Sequence, residues 1–295
     1  MSIRGGPALG GIQSAQDQAD DAALQADAQL ADAARGAGGD GRWRRRLVSV
    51  TVAAALVALW AIVAALRVFG RAELPTPLRV VHDFVHAVVQ GYGGHSLLAQ
   101  AQISVERVVV GFIAAAFLGV VVGMFMAIIP VVHDAIDPML QFLRPIPPLA
   151  FIPLLVTWFG IGELPKVLLI FFCTLPIVIL NTLSGVRGTQ KSRLRVAQCL
   201  GASRAQTLRH VILPSVLPEV FTGMRVGLGV SWTCLVAAEM VAASRGLGWM
   251  VLQAGHYLQS GMIFVAIITI GVVGFLMDFA LRLIEQRVVP WKGKA

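Results

Sequence analysis

The side chains with most chemical consequence in this sequence are the few ionisable residues inside long apolar stretches: Arg144, Arg225, Glu239 and Asp278. A charge at bilayer depth is costly, so it faces a bundle interior where it pairs, fixes a helix or meets a solute. At about 1.5 Å of rise per residue, Arg144, Arg225 and Asp278 lie within roughly 15 Å of the membrane face that carries residues 187–209. Glu239 lies near the opposite face. Asp278 can therefore pair with Arg225 or with Arg144, to fix helix packing or to serve a passing solute. Pro145, Pro147, Pro148 and Pro153 follow Arg144 closely. Proline withholds an N–H and frees a carbonyl, so this stretch is not an unbroken lipid-facing helix. It is expected to border a solute path or to form a kinked packing helix. Gly223, Gly227 and Gly229 permit close approach of another helix, with a dimer interface as one candidate.

A second feature is the polar interruption from Leu194 to Pro214. Leu194, Ala197 and Leu200 recur at helical spacing, and Gly201 follows where a left-handed residue can close a helix. Ser203 and Gln206 have the Ser-x-x-Gln spacing of a capping box, which starts a second short helix. Ala205, Leu208 and Val211 or Ile212 give that helix an apolar face, Arg204, Arg209 and His210 project elsewhere, and Pro214 is expected to stop it. Two short helices meeting at a turn form either a docking knob for a soluble partner or an ordinary hairpin.

No catalytic set accompanies these features. The sequence has no Gly-x-x-x-x-Gly-Lys-Ser/Thr phosphate loop, no His-Glu-x-x-His and no Gly-x-Ser-x-Gly elbow. Of the six histidines, only His82 and His86 stand at i, i+4, a spacing that fits a metal pair or, more simply, a solvated helical face. Cys173, Cys199 and Cys234 form no Cys-x-x-Cys pair and read as free structural thiols. No enzyme active site and no metal site is expected.

The elements that position these residues follow from composition. The chain is 57% hydrophobic and 14% charged, with a mean hydropathy of +0.76, whereas a soluble domain is about a quarter charged. A polytopic all-α membrane protein is the class that fits. Leu47–Leu66 meets the roughly 20-residue requirement for a span, and further spans are placed near Ile103–Ile129, Ala135–Phe159, Pro165–Val186, Pro218–Ala242 and Met262–Ile284. Arg42, Arg44, Arg45 and Arg46 precede the first span. An odd–even count from them puts 187–209, the C-terminal tail and both termini in the cytoplasm. The net charge of +8 then matches anionic headgroups, and no nucleic-acid motif is present. Residues 1–41 are Ala-, Gly- and Asp-rich and read as a disordered cytoplasmic tail; no signal peptide is evident, so the first span drives insertion. The resulting plan is a first transmembrane helix in 42–69, a periplasmic connection in 70–102, a core in 103–286 that contains the loop 190–214, and a cytoplasmic tail in 287–295.

Leu200-Gly-Ala-Ser203, the Val211-Ile-Leu-Pro214 ending and Pro218-Glu-Val-Phe-Thr-Gly223-Met-Arg225 resemble the EAA loop of permease subunits in bacterial ATP-binding-cassette (ABC) importers. Phe142-Leu-Arg144-Pro-Ile-Pro147-Pro148 and Trp158-Phe-Gly-Ile-Gly162-Glu are similar to the nitrate, sulfonate and taurine branch. Arg195-Val-Ala-Gln-Cys-Leu-Gly201, Gly227-Leu-Gly-Val-Ser-Trp232, Arg245-Gly-Leu-Gly248 and Pro290-Trp291 look most like the taurine permeases within it. The likeness spans roughly Leu74 to Trp291. One departure is plain: Arg195 stands where the naming glutamate would fall, with Val196 and Ala197 completing the triplet.

The resemblance implies a type I, MetI-like permease fold with six transmembrane helices. It implies a coupling loop in which Arg195, Ala197, Leu200, Gly201, Ala202, Ser203, Arg204, Gln206, Leu213 and Pro214 face a cytoplasmic ATPase. It also implies a homodimer of this chain in the inner membrane, a periplasmic binding protein that delivers substrate, and ATP and Mg held by the ATPase, with no cofactor on this chain. Taurine, another alkanesulfonate or nitrate is the expected cargo. An ion-coupled secondary transporter would instead show inverted repeats and midplane carboxylates in matching halves, and a membrane-embedded enzyme a polar catalytic cluster. Neither is seen in the sequence.

Overall fold

Helix α1, Val50–Ala65, is apolar along its length and belongs to the first of two units into which the chain divides, Met1–Val68 and Phe69–Ala295. The computed structural model describes residues 43, 47, 48, 50–66, 73–189 and 191–292, the side chains of Lys191 and Arg204 excepted. The expected N-terminal tail, 1–41, and the arginines before the first span lie outside the described residues.

The second unit is built from helices alone among its described residues. α2 (Pro77–Val89) starts at Thr76, whose hydroxyl accepts from the Arg79 N–H at 3.3 Å, with Pro77 at the first helical position, where its missing N–H costs nothing. α3 (Leu97–Ile128) starts in the same way at Ser96, which accepts from the Ala99 N–H at 3.2 Å. There follow α4 (Pro130–Leu143), a 3-10 turn (Pro148–Phe151), α5 (Ile152–Phe159), α6 (Glu163–Arg187), α7 (Lys191–Cys199), α8 (Arg204–Thr207), a π-helical stretch (Leu208–Ile212), α9 (Leu213–Ala242), α10 (Leu247–His256) and α11 (Ser260–Val288). Among the described residues, four helices are long and apolar enough to span a bilayer, and a bent pair can count as a fifth; α1 is apolar but shorter. The span expected near Ala135–Phe159 is a bent pair of helices, broken where its prolines led one to expect. α4 ends at Leu143, and the next helical axis departs at 92°, because three prolines within Pro145–Pro148 remove three of four backbone donors.

α6 is the central element, held between α3 and α9 by small residues. Gly111, Gly119 and Gly123 recur with Ala115 along one face of α3, and Cβ atoms at these glycines would come within 2.8, 2.8 and 2.7 Å of Ile170, Val178 and Thr182 of α6. From the other side, a Cβ at Gly223 would meet Asn181 at 2.5 Å and one at Gly227 would meet Thr174 at 3.0 Å. The close approach expected of Gly223 and Gly227 is therefore made within the chain, against α6, while Gly229 faces open space. Without a hydrophobic drive between helices in lipid, such backbone proximity is what dispersion forces reward. Thr174 and Ser231 share a 2.5 Å hydroxyl contact across the α6–α9 seam. Trp232 reaches α11 by donating to the Ile270 carbonyl at 3.0 Å. Val108, Phe112, Ile170, Phe221, Leu228 and Leu235 form the buried centre of this packing.

Candidate functional site

The segment 190–214 folds as two short helices around a tight turn. At the end of α7, Gly201 takes φ +76°, the Gly201 N–H donates to the Gln198 carbonyl at 3.0 Å and the Ala202 N–H to the Ala197 carbonyl at 3.0 Å. This pair of bonds is a Schellman motif, which needs a left-handed residue at its centre. The capping box follows at once: the Ser203 N–H donates to Gln206 Oε1 at 2.8 Å and the Gln206 N–H to Ser203 Oγ at 3.3 Å. Arg195 and Val196 are exposed, Leu200 is 81% exposed and Ala197 is buried. The turn thus presents apolar and basic side chains outward on a backbone whose donors are satisfied. Ser192, Arg193, Val196, His210, Val211 and Trp291 help to line a groove of about 660 Å³ beside it.

Pro214 does not stop the second helix, as the sequence led one to expect. The ladder widens instead, with the Leu213 N–H donating five residues back to the Leu208 carbonyl, and α9 continues with Pro214 in its first turn. A π turn makes room for the proline ring, which would collide with the His210 carbonyl in a regular α-helix. The hairpin is consequently continuous with a spanning helix.

Two ion-pair networks involve α9, one near its middle and one at its far end. In the one nearer the hairpin, Arg225 Nε and Nη2 donate to Asp278 Oδ1 and Oδ2 at 3.0 and 3.2 Å. Arg225 Nη1 lies 3.9 Å from Glu285, which Lys292 also contacts. Of the two partners that depth allows for Asp278, the structure supplies Arg225. Arg144 caps α4 at the break, is exposed and forms no ion pair among the described residues. Pro145 and Pro147 are also exposed, whereas Pro148 is half-buried at the start of the 3-10 turn.

The far network was not foreseen as a set. Glu239, fully buried in the last turns of α9, accepts from Ser104 Oγ at 2.8 Å, Arg107 Nη1 at 2.6 Å and the Gly248 N–H at 2.8 Å. Arg107 also grips Glu163 with two bonds of 2.5 and 2.8 Å and donates to the Arg245 carbonyl at 2.9 Å. Lys166 reaches Glu163 at 3.2 Å. Gln100 and Ser104 accept the N–H groups of Gly246 and Leu247 at 2.6 and 3.0 Å. Gly246, at φ +123°, has no room for a Cβ beside the Glu239 carboxylate. Two acids and two bases here balance in charge, and their hydrogen bonds offset much of the desolvation cost. Arg107 could have been found in the sequence as an arginine inside the span placed near Ile103–Ile129; Lys166 stands at the edge of the span placed near Pro165–Val186, and Glu163 just before it. Cys173 and Cys234 are buried together with Ile152, Leu155 and Leu169, and Cys199 is exposed. His82 is 79% exposed on α2. Among the described residues, no group of three or more His, Cys, Asp or Glu could hold a metal ion.

Residues 109–290 match the family model described as "Binding-protein-dependent transport system inner membrane component". The taurine transport system permease protein TauC of Escherichia coli is 42% identical over 86% of this chain and 94% of its own length. The nitrate import permease protein NrtB of Synechocystis sp. is 32% identical over 75% of this chain and 82% of its own. In fold, the chain is similar to a solved chain of the MetNI methionine ABC transporter in inward-facing conformations, with a TM-score of 0.54 at 17% identity, over 65% of this chain and 97% of that one. A hairpin continuous with a spanning helix, a bundle of long apolar helices and these likenesses converge: the chain belongs to the binding-protein-dependent transport system inner membrane component family, as a non-catalytic, multi-pass inner-membrane permease subunit of an ABC importer in the taurine, sulfonate and nitrate branch.

Proposed function

We propose that this chain forms the translocation pathway for taurine or a closely related sulfonate, as a homodimer driven by a cytoplasmic ATPase and fed by a periplasmic binding protein. The observation that carries the substrate is the 42% identity to the taurine permease of E. coli over nearly the whole of both chains. The hairpin's exposed Arg195, Val196, Leu200 and the turn at Gly201 are the surface offered to the ATPase, which binds ATP and Mg. Both termini and the hairpin are cytoplasmic in this reading, since the arginine-rich start and the segment 187–209 share a side. ATP-driven closure of the ATPase draws the two hairpins together. Because the hairpin runs into α9 without a loop, the push reaches the bundle as a rigid-body movement.

The broken α4–α5 stretch borders the path. One of its faces, Ile152 and Leu155, packs inward, while Leu154, Trp158 and Phe159 on the other are exposed and await a second copy or the cavity. Arg144 sits at the break, unpaired among the described residues, and a guanidinium suits a compact oxyanion through charge-assisted hydrogen bonds. Arg225, Asp278 and Glu239 are already committed to ion pairs and hold helices together. Similarity to a nitrate permease favours one second reading, nitrate as cargo. ATP-dependent uptake of labelled taurine into proteoliposomes that hold this chain, its ATPase and its binding protein tests both. Uptake that needs all three and yields mainly to unlabelled taurine is expected; uptake blocked best by nitrate moves the cargo to nitrate, and uptake by this chain alone overturns ATP-driven transport.

A further inference from the structure

The beginning of α9 contains a defect written into the sequence. In a helix the carbonyl of Pro214 would accept the N–H of the residue four positions on, and that residue is Pro218, which has none. The vacancy is filled from the other end of the chain: the Trp291 indole N–H donates to the Pro214 carbonyl at 3.2 Å. The next residue adds a second tie. Lys292 Nζ contacts Glu285 of α11 and donates to Thr222 Oγ1 of α9 at 3.3 Å, and Thr222 in turn donates to the Pro218 carbonyl at 2.9 Å. Beneath them Val289 is buried, 2% exposed, in the same apolar cluster as Phe221. A turn closed by the Lys292 N–H on the Val289 carbonyl at 3.2 Å, with Pro290 at its first corner, aims both side chains back at α9. Trp291 also forms one wall of the groove whose other walls are α7 and the π stretch.

We infer that the C-terminal turn Val289–Lys292 is a latch that positions the ATPase-coupling hairpin, with Trp291 and Lys292 holding the start of α9 to the end of α11. The π stretch Leu208–Ile212 is the weak joint between hairpin and span, since its ladder is irregular and Pro214 adds no donor. Load arriving at the hairpin bends that joint unless α9 is braced immediately beyond it. The latch supplies the brace and places α9 and α11 under the same load. Trp291 and Lys292 are positioning residues, acting through α9 on the hairpin.

The latch rests on the coupling role proposed for the hairpin, and one experiment separates the two. Hydrogen–deuterium exchange is followed in the full chain in lipid nanodiscs, without ATPase or substrate, for the unaltered protein, Trp291→Phe, Pro218→Ala and the double variant. Phenylalanine keeps the apolar wall and removes the donor; alanine at 218 restores the N–H that the Pro214 carbonyl would accept. Trp291→Phe is expected to raise exchange over residues 204–213 roughly three- to tenfold, the size of effect that one unpaired carbonyl warrants, with α3 and α6 unchanged. The double variant is expected to return toward the unaltered protein. In the full transporter, substrate moved per ATP hydrolysed falls in Trp291→Phe and recovers in the double variant, whereas a merely structural lesion lowers transport and hydrolysis together. Unchanged exchange at 204–213, a rise spread over all spans, or no recovery in the double variant overturns the latch. Absence of taurine uptake by the unaltered transporter overturns the cargo instead, and leaves the exchange result to decide the latch.

Discussion

The far end of α9 and the stretch nearer the hairpin are held by ion pairs of opposite character. At the far end Arg107 and Glu239 are 3% and 0% exposed, and their bonds reach α3, α6, α9 and the start of α10. Near the hairpin Arg225 and Asp278 are 31% and 35% exposed and join two helices, α9 and α11. Desolvated charges that have found every partner cannot trade them without a large penalty, so the far end is a fixed hub. Arg225 and Asp278 are less enclosed and have fewer partners, so fewer groups are stranded when they separate. The Arg225–Asp278 pair is therefore the easier of the two to part while the bundle stays folded. A transporter needs both, a pivot and a lever.

Substitutions can break that contrast. Glu239→Ala strands Arg107, Ser104 and the Gly248 N–H, and it is expected to cost about 3–5 kcal/mol, read as a large fall in melting temperature in detergent micelles. A melting temperature equal to that of the unaltered chain would mean that the far end is not a hub. Gly119→Leu drives a side chain into Val178 at the seam that links the ends, and overpacking there should cost about 1–3 kcal/mol. The same melt reads it, and a neutral result would show that the α3–α6 seam yields. Reversal of Arg225 to Asp or of Asp278 to Arg should cost less than loss of Glu239, since fewer groups are stranded, yet lower transport. The double reversal should restore transport, and failure of rescue would remove the pair from the lever. Smallest is Ser203→Ala, which deletes half of the capping box; it should cost about 0.5–1 kcal/mol, confined to α8 and seen as faster amide exchange there alone. A change in the melting of the whole bundle would show that the hairpin is part of the fixed end.

Local features were legible because they close within a few residues. Gly201 and the Ser203–Gln206 box announce a helix end and a helix start through bonds spanning three to five positions, and the structure forms those bonds. Spans were legible because hydrocarbon thickness sets a length and apolarity that any sequence window can be tested against. One local reading failed, the stop at Pro214. The break in the third span and the passage through Pro214 both concern what a proline does to a helix, and the choice between kink, π turn and termination rests on what packs beside it. At 145–148 a run of prolines leaves too few donors to carry a ladder; at 214 a single proline is absorbed by widening it.

By itself, then, the sequence determined the class of protein, most of the spans, the hairpin with its caps, and the pairing of Asp278 with an arginine at its own depth. It could not say which arginine. Tertiary structure alone chose Arg225 over Arg144, turned α5 away from α4 by 92°, set Gly223 and Gly227 against α6, and joined Arg107 to Glu239 across 132 positions and Trp291 to Pro214 across 77. Helix period and hydropathy act between near neighbours and are written residue by residue. Which faces meet is decided only when the spans have packed, because burying a charge or filling an empty carbonyl depends on everything that arrives beside it.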